Sequence, residues 1–212
     1  MFRFVVLLLS LTVSLVCPAR AVGQSNHVIL ITIDGMAAYQ LDDEKLEIPN
    51  LRELSRNGVR AESSETVFPS VTHPSHTTLV TGVWPKVHGV LANRMTNRTT
   101  NETFSVTNLL HSQSVKVPTL FDAAKKKGLT TASFFWPETY GDSSVDYNLA
   151  ERDDLPGEAD LKPQNAEFLG ELRRAGIPLE YGARYYGDPQ LQVVCDILLP
   201  RCPQGWTRMR LC

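Results

Sequence analysis

The sequence predicts an α/β protein in which helices cover both faces of a doubly wound, mostly parallel sheet. A β-branched apolar run over residues 27–33 ends in Asp34-Gly35, as expected of a central strand that is buried on both faces. Helical and apolar segments with glycine-bounded connections then alternate along the chain, which is the order that βα units produce. The length of 212 residues suits one compact domain with a sizeable core.

Proline near the start of a helix and glycine just past its end mark most of the remaining elements. These signals predict five helices, over residues 49–57, 72–81, 118–127, 163–175 and 189–199. A return strand is predicted to begin at Val59, and residues 129–136 are rich in Thr, Ala and Phe, as a buried strand would be. Residues 142–162 are acidic, polar and aperiodic, so they are predicted to form a surface excursion.

Residues 1–21 are predicted to be a secretory signal peptide. A positive start at Arg3 precedes an apolar run over residues 4–16, and Ala19-Arg20-Ala21 supplies a cleavage pattern. The run is roughly 13 residues long, whereas a membrane-spanning helix needs ~20, so no stable membrane span is expected after cleavage. We therefore expect a protein that is secreted, periplasmic or extracellular.

Net charge and cysteine content set further bounds on function. A formal net charge of −2 argues against a nucleic-acid groove binder, which normally carries a strong basic excess. Without the signal, Cys195, Cys202 and Cys212 remain; one pair could bridge and leave a free thiol, or none of the three has a function. Residues 200–212 have neither periodicity nor capping signals and are interpreted as an unrelated tail.

Three local patterns place chemically useful side chains beside the predicted elements. Asp34 follows the first strand, where ligands bind in open α/β sheets, and could ligate a metal or simply cap a helix. Thr72 lies at the start of a helix, where free N–H groups favour an anion, and could be a nucleophile toward phosphorus or a plain N-cap. Asn93 could donate to a phosphate oxygen or be an ordinary loop residue. Each pattern is weak by itself.

Taken in order, the patterns resemble the nucleotide pyrophosphatase/phosphodiesterase family of the alkaline phosphatase superfamily. That family has a strand ending in Asp-Gly, a T-P-N-L helix start, a nucleophile segment P-S-x-T-x-P-x-H, and then T-G-x-x-P-x-x-H-G-x-x-x-N. The present chain reads I-P-N-L over 48–51, P-S-V-T-H-P-S-H over 69–76 and T-G-V-W-P-K-V-H-G-V-L-A-N over 81–93. A further segment, F-W-P over 135–137, resembles the family's F-W-P-G.

The resemblance covers residues 27–199 and implies the N-terminal part of a catalytic domain. The implied fold is a sheet of alkaline-phosphatase type that is incomplete at the C-terminus. Asp34 matches the family's metal-ligating Asp, and Thr72 matches the nucleophile, which also binds that metal. Asn93 matches the Asn that holds a phosphoryl oxygen together with the Thr72 backbone amide.

The reaction that the resemblance implies is hydrolysis of a phosphodiester or pyrophosphate bond in a small molecule or nucleotide. Thr72 would attack in line to form a covalent phospho-threonine, which a metal-bound hydroxide would then hydrolyse. Two Zn²⁺ about 4 Å apart would hold the attacking and leaving oxygens.

The chain departs from the family pattern in two ways. Family members usually have Phe-Pro-Asn-His after the nucleophile, whereas residues 73–76 read H-P-S-H, so His73 replaces an aromatic residue. His76 and His88 match motif histidines that are expected to be structural. Nothing after Asn93 matches the family's later Asp and His ligands, and zinc needs at least three protein ligands to be held catalytically.

We therefore expect a truncated or frameshifted product that is inactive or weakly active, with most of its zinc ligands missing. One alternative is a non-enzymatic secreted remnant or binding protein that keeps the front half of the fold. Another is a related enzyme of the superfamily, such as a sulfatase or a phosphoglycerate mutase. A sulfatase would show C/S-x-P-S-R at the nucleophile, and the segment around Thr72 does not fit that pattern.

Overall fold

The computed structural model describes residues 27–151 and 163–176, in which short helices are interrupted by two pairs of short strands. The α/β class predicted from the sequence is confirmed. The α-helices in this part of the chain are α1 (Pro49–Asn57), α2 (Thr72–Thr81), α3 (Pro85–His88), α4 (His111–Ser114), α5 (Leu120–Lys126) and α6 (Pro163–Arg174). Two short 3₁₀ helices cover Ala38–Asp42 and Val106–Asn108. The strands are β1 (Arg94–Thr96), β2 (Thr103–Ser105), β3 (Ala132–Phe134) and β4 (Tyr147–Leu149). The signal peptide over 1–21, the helix predicted over 189–199 and the tail over 200–212 lie outside the described residues.

Two small sheets of opposite kind organise these elements. β1 and β2 form an antiparallel hairpin in which Met95 is paired with Phe104. β3 and β4 are parallel, with Ser133 opposite Asn148. The connection between the parallel strands, residues 135–146, has the length that a parallel crossover needs. This connection begins with the F-W-P segment and lies beside α2.

Apolar side chains form two buried clusters. The first joins β4 to α6 through Leu149, Phe168, Leu169 and Leu172, with Phe134 and Tyr147 packed edge-on against Phe168. The second lies beneath the hairpin and consists of Val90, Val106 and Val115, with Met95 and Leu109 packed against it. Burial of side chains of this size is the main source of stability in a small domain.

The predicted helix ends agree well with the structure. α1 and α2 have the predicted bounds, and α2 stops at Gly82, whose φ of 70° is in the left-handed region that glycine favours. α5 begins two residues later than predicted and ends one residue earlier. Its start is set by Thr119, which exchanges hydrogen bonds with Asp122 as a capping box.

The predicted first strand and return strand are corrected by the structure. Residues 27–33 and Val59 have no regular secondary structure, and Val28 is 94% exposed. A strand exists only where a neighbour pairs with its backbone, and the sheets of the described residues contain no neighbour for this segment. The apolar composition of the run is therefore not matched by burial within the described part of the chain.

The surface excursion predicted over 142–162 is also corrected where the structure describes it. Asp142, Val145, Asp146 and Leu149 are buried, and residues 147–149 form β4. Internal partners make this burial possible. Asp146 accepts from Thr131 and Lys125, and Asp142 accepts from Ser144. The partners of Asp146 lie 15 and 21 positions earlier in the chain, so the polar, aperiodic segment by itself gave no sign of them.

Candidate active site

The first turn of α2 brings Thr72 into contact with Asp34, from 38 positions earlier in the chain. The Thr72 hydroxyl donates to Oδ2 of Asp34 across 3.0 Å. Asp34 is exposed and Thr72 is half-buried, so both oxygens are accessible to a ligand. Thr72 is the first residue of the helix, and the backbone N–H groups of a first turn have no partner within their own helix. The predicted pair of Asp34 and Thr72 is therefore brought together at a surface suited to anions.

Asn93, which follows α2 in the chain, also contacts the first turn of that helix. Its carboxamide oxygen accepts from the backbone N–H of His73 across 3.0 Å. Two features on either side of Asn93 set its position. Before it, α3 is terminated by Gly89, which has a φ of 92°. After it, the N–H of Val106 donates to the backbone carbonyl oxygen of Asn93 across 3.1 Å. Since a backbone N–H needs an acceptor, the bond from His73 orients the carboxamide oxygen of Asn93 toward the helix. The NH₂ group of the same carboxamide takes no part in this bond and is a hydrogen-bond donor.

His76 links Asp34's segment to α2. Its Nδ1–H donates to the carbonyl oxygen of Thr72 across 2.8 Å, so in the neutral ring Nε2 accepts from the Thr32 hydroxyl across 2.8 Å. Nε2 also lies 3.7 Å from Oδ1 of Asp34, and the ring stands edge-on to Trp136 of the F-W-P segment. Both ring nitrogens are thus engaged in holding the segments that carry Asp34 and Thr72.

His88 is fully buried behind the site. Its Nδ1 accepts from the N–H of Val90, and its Nε2 donates to the hydroxyl of Thr78 on α2. Burial, which disfavours the charged ring, lowers the pKa of His88, and a hydrogen bond with the Pro74 backbone acts in the opposite direction. The neutral ring fixes the distance between the end of α3 and the middle of α2.

Glu138 is the residue near the site that sequence reasoning missed. Its side chain is buried, and its two carboxylate oxygens accept from two residues of α2: Nδ1–H of His73 at 2.5 Å and the hydroxyl of Thr77 at 3.0 Å. Its φ of 58° is in the left-handed region, which is uncommon for a residue other than glycine. A signal was available in the sequence, because Glu138 occupies the place of the glycine in the family's F-W-P-G segment.

The donors beside Thr72 are fewer than a zinc ion requires. Asp34 and Thr72 provide two adjacent oxygens, which suit one side of a divalent-cation site. Among residues 27–151 and 163–176 there is no group of three or more His, Cys, Asp or Glu side chains that could hold a metal. Because zinc needs at least three protein ligands, the donors in this part of the chain do not by themselves fit that metal.

A threonine hydroxyl beside a carboxylate at a helix N-terminus, on an α/β fold, is an arrangement typical of hydrolases that use a hydroxyl nucleophile. The sequence profile of the family described as type I phosphodiesterase / nucleotide pyrophosphatase matches residues 28–188, more than half of the chain. The chain belongs to this family, and the resemblance predicted from its motifs is confirmed. Family membership also supports the predicted sheet of alkaline-phosphatase type.

Characterised relatives match a small part of their own length. Ectonucleotide pyrophosphatase/phosphodiesterase family member 3 of Rattus norvegicus is 31% identical over 112 residues, which are 52% of this chain and 13% of the relative. Venom phosphodiesterase 2 of Crotalus adamanteus is 30% identical over 127 residues, which are 57% of this chain and 15% of the relative. The chain therefore spans about an eighth of the length of such relatives.

Solved structures of murine ectonucleotide pyrophosphatase/phosphodiesterase 5 are also similar to the chain. One covers 53% of this chain and 30% of its own length, with 27% identity and a TM-score of 0.44. Another, an inactive form in complex with AMP, covers 80% of this chain and 51% of its own length, with 20% identity and a TM-score of 0.48. In the part of our chain that the structure describes, we find no helix with the length and apolar character needed to cross a membrane.

Proposed function

We propose that this chain is the N-terminal part of a metal-dependent phosphodiesterase or nucleotide pyrophosphatase that works through a covalent phospho-threonine on Thr72. The observation that carries the proposal is the 3.0 Å hydrogen bond from the Thr72 hydroxyl to Asp34 at the start of α2. That bond orients the hydroxyl and directs its proton toward a carboxylate. A lone pair of the same oxygen then faces solvent, where a phosphorus atom could approach.

The proposed reaction has two steps. In the first, the Thr72 hydroxyl passes its proton to Asp34 while Oγ1 bonds to phosphorus, and the bond to the leaving group breaks with the electron pair going to the leaving group. In the second, water loses a proton as it bonds to phosphorus, the bond to Thr72 breaks, and Oγ1 takes a proton back to regenerate the hydroxyl. Negative charge builds up on the phosphoryl oxygens in both steps. The NH₂ group of Asn93 and the Thr72 backbone N–H are the donors that we assign to it.

The metals in this proposal are two Zn²⁺, with Asp34 and Thr72 as ligands. These two oxygens are fewer than zinc requires, so a loaded site needs further ligands from outside the described residues. The 212-residue chain alone is accordingly expected to bind zinc weakly and without fixed stoichiometry, and to hydrolyse a chromogenic phosphodiester no faster than buffer. Calorimetry that gives one or two tightly bound Zn²⁺ per chain would contradict this expectation.

The substrate class follows from the family and not from a pocket. The matched relatives are named as nucleotide pyrophosphatases and venom phosphodiesterases, which supports a small-molecule phosphodiester or nucleotide as the substrate. The same names support export of this chain. We infer cleavage after residue 21, so N-terminal sequencing of the secreted protein should begin near Val22; an intact Met1 on a cytosolic product would refute it.

The test of the nucleophile uses a hybrid in which residues 1–199 are joined to the C-terminal region of a related enzyme. Hydrolysis of a p-nitrophenyl nucleotide should appear in the hybrid and fall by several orders of magnitude with Thr72→Ala or Asp34→Asn. Asn93→Ala should cost less, on the order of 10²–10³, as expected for the loss of one oxyanion donor. Thr96→Ala, on the exposed strand β1, is the matched control and should leave the rate unchanged.

The rates measured for the hybrid and its variants distinguish a wrong nucleophile assignment from a chain that keeps the fold without the activity. Equal turnover by the hybrid and its Thr72→Ala variant would show that the nucleophile is assigned wrongly. A folded hybrid without any activity would favour the alternative that this chain is a secreted binding protein that retains the front half of the fold.

A further inference from the structure

We propose that Glu138 is a positioning residue: through His73 it fixes the first turn of α2, and with it the orientation of the proposed nucleophile, Thr72. The inference rests on the proposed function for the meaning of Thr72. The contacts that carry it do not depend on that function.

Glu138 is hydrogen-bonded to two residues of α2. One carboxylate oxygen accepts from His73 and the other from Thr77, which are one helical turn apart on the same face. The single hydroxyl proton of Thr77 is shared between Glu138 and the carbonyl oxygen of His73, which lies 2.7 Å from the hydroxyl oxygen. All three side chains are buried, so their hydrogen bonds are not shared with bulk water and their loss would leave polar groups unsatisfied. Glu138 therefore holds the helix start at two points.

His73 is hydrogen-bonded to residues on two sides, Glu138 and Asn93. Its side chain reaches Glu138, while its backbone N–H donates to Asn93. Thr72 precedes it directly, so rotation of the first turn would move the Thr72 hydroxyl away from Asp34. The first turn of α2 is thus held by the buried pair of His73 and Glu138 and also contacts Asp34 and Asn93.

His73 and Glu138 also depend on each other for burial. Both side chains are buried, and they bond to each other. Replacing either one alone by a residue without a polar side chain would leave the other buried without this partner, which is costly. The left-handed φ of 58° at Glu138 is a conformation that glycine adopts most readily, so Glu138→Gly removes the carboxylate without straining the backbone. We therefore expect the effects of substitutions at the two positions to be coupled.

The test measures amide hydrogen exchange in the full 212-residue chain by NMR. His73 is the second residue of α2, so its N–H has no acceptor within the helix and its protection reports the bond to Asn93. Glu138→Gly should accelerate exchange at His73 on the order of tenfold. The amide of Gly82, at the other end of α2, should change little, which separates a local effect from general loss of stability. Asn93→Ala gives the exchange rate of a fully released His73 amide.

Further variants complete the design. Glu138→Gln keeps the shape of the side chain and should give a smaller acceleration than Glu138→Gly. The double variant H73F/E138G removes both polar members of the pair, so neither is left buried without its partner, and protection of the amide at position 73 should return toward the wild-type value. Asp146→Asn is the matched control, because Asp146 is also a buried carboxylate but bonds to Lys125 of α5, and it should leave the His73 amide unchanged.

Two results would overturn the proposal. One is wild-type exchange at His73 in Glu138→Gly, or acceleration there by the same factor as at Gly82. The other is a double variant that exchanges as fast as the single variant, which would show that the residues do not act as a pair. An inactive or Thr72-independent hybrid would instead overturn the proposed function and leave these exchange results standing.

Discussion

Residues 27–66 and residues 67–150 contribute to one site but differ sharply in how they are packed. No side chain is buried in the first of these regions, whereas the second contains the cluster beneath the hairpin and the polar network around Glu138. Asp34 comes from the first region, and Thr72 and Asn93 come from the second. The difference indicates that the helix start and Asn93 are positioned by a core, while Asp34 is positioned by individual polar contacts at the boundary.

The largest effect expected from the difference in packing between the two regions is on the free energy of unfolding of the whole chain. Leu149→Ala removes a side chain that is 1% exposed and packed against Phe168, so it should lower the free energy of unfolding by about 2–5 kcal/mol. Leu54→Ala, on α1 of the first region, alters a side chain that is 60% exposed and should change it by less than about 0.5 kcal/mol. Urea unfolding followed by circular dichroism measures both. Equal losses would show that the first region has a core of its own.

A smaller effect is expected at the boundary itself. His76→Ala removes the ring that bonds to both Thr32 and the Thr72 carbonyl, so the first region should detach more often from the second. Loss of roughly 1 kcal/mol should speed tryptic cleavage after Lys45, Arg52 and Arg56 about fivefold. His111→Ala, whose Nδ1 bonds within the second region to the Glu138 carbonyl, is the control and should not change these cleavages. An unchanged rate in His76→Ala would mean that other contacts hold the boundary.

The smallest effect is a dependence on pH that arises in the second region. Burial lowers the pKa of His88 in the folded state, so the unfolded chain takes up a proton at higher pH than the folded chain does. Stability should therefore be complete above about pH 6.5 and decline as pH falls below it, by at most about 1.4 kcal/mol per pH unit. Urea titrations between pH 5 and pH 8 measure the slope, and His88→Gln should flatten it. A slope that survives this substitution would assign the effect to another group.

What the sequence predicted well depends on local chemistry. The bounds of α1 and α2 follow from Pro49, Gly58 and Gly82, because proline and glycine act through backbone geometry that needs no distant partner. The site residues Asp34, Thr72 and Asn93 were proposed because each belongs to a motif with fixed spacing, and their roles stay a prediction. The structure adds that Thr72 contacts Asp34 and that Asn93 contacts the start of α2.

What the sequence did not predict depends on partners far along the chain. Residues 27–33 have the composition of a buried strand, yet burial requires a neighbour that composition cannot supply. Asp146 has the character of a surface residue in the sequence, and its burial is explained only by Thr131 and Lys125, which lie 15 and 21 positions away. Glu138 belongs to the same class, since its importance appears once His73 and Thr77 are seen to converge on it.

The hairpin of β1 and β2 separates Asn93, whose side-chain position matters for the candidate site, from an exposed turn whose length can change. Asn93 precedes β1, and the N–H of Val106, just after β2, donates to its carbonyl oxygen, so the ladder closes at the end near the site. At the other end the turn over residues 97–102 is exposed and is closed by its own bonds to Asn97. Length added at this turn would not be transmitted through the ladder to Asn93. The turn is therefore a natural place for lineage-specific insertions, or for a reporter fused into the chain, while the geometry around Thr72 is preserved.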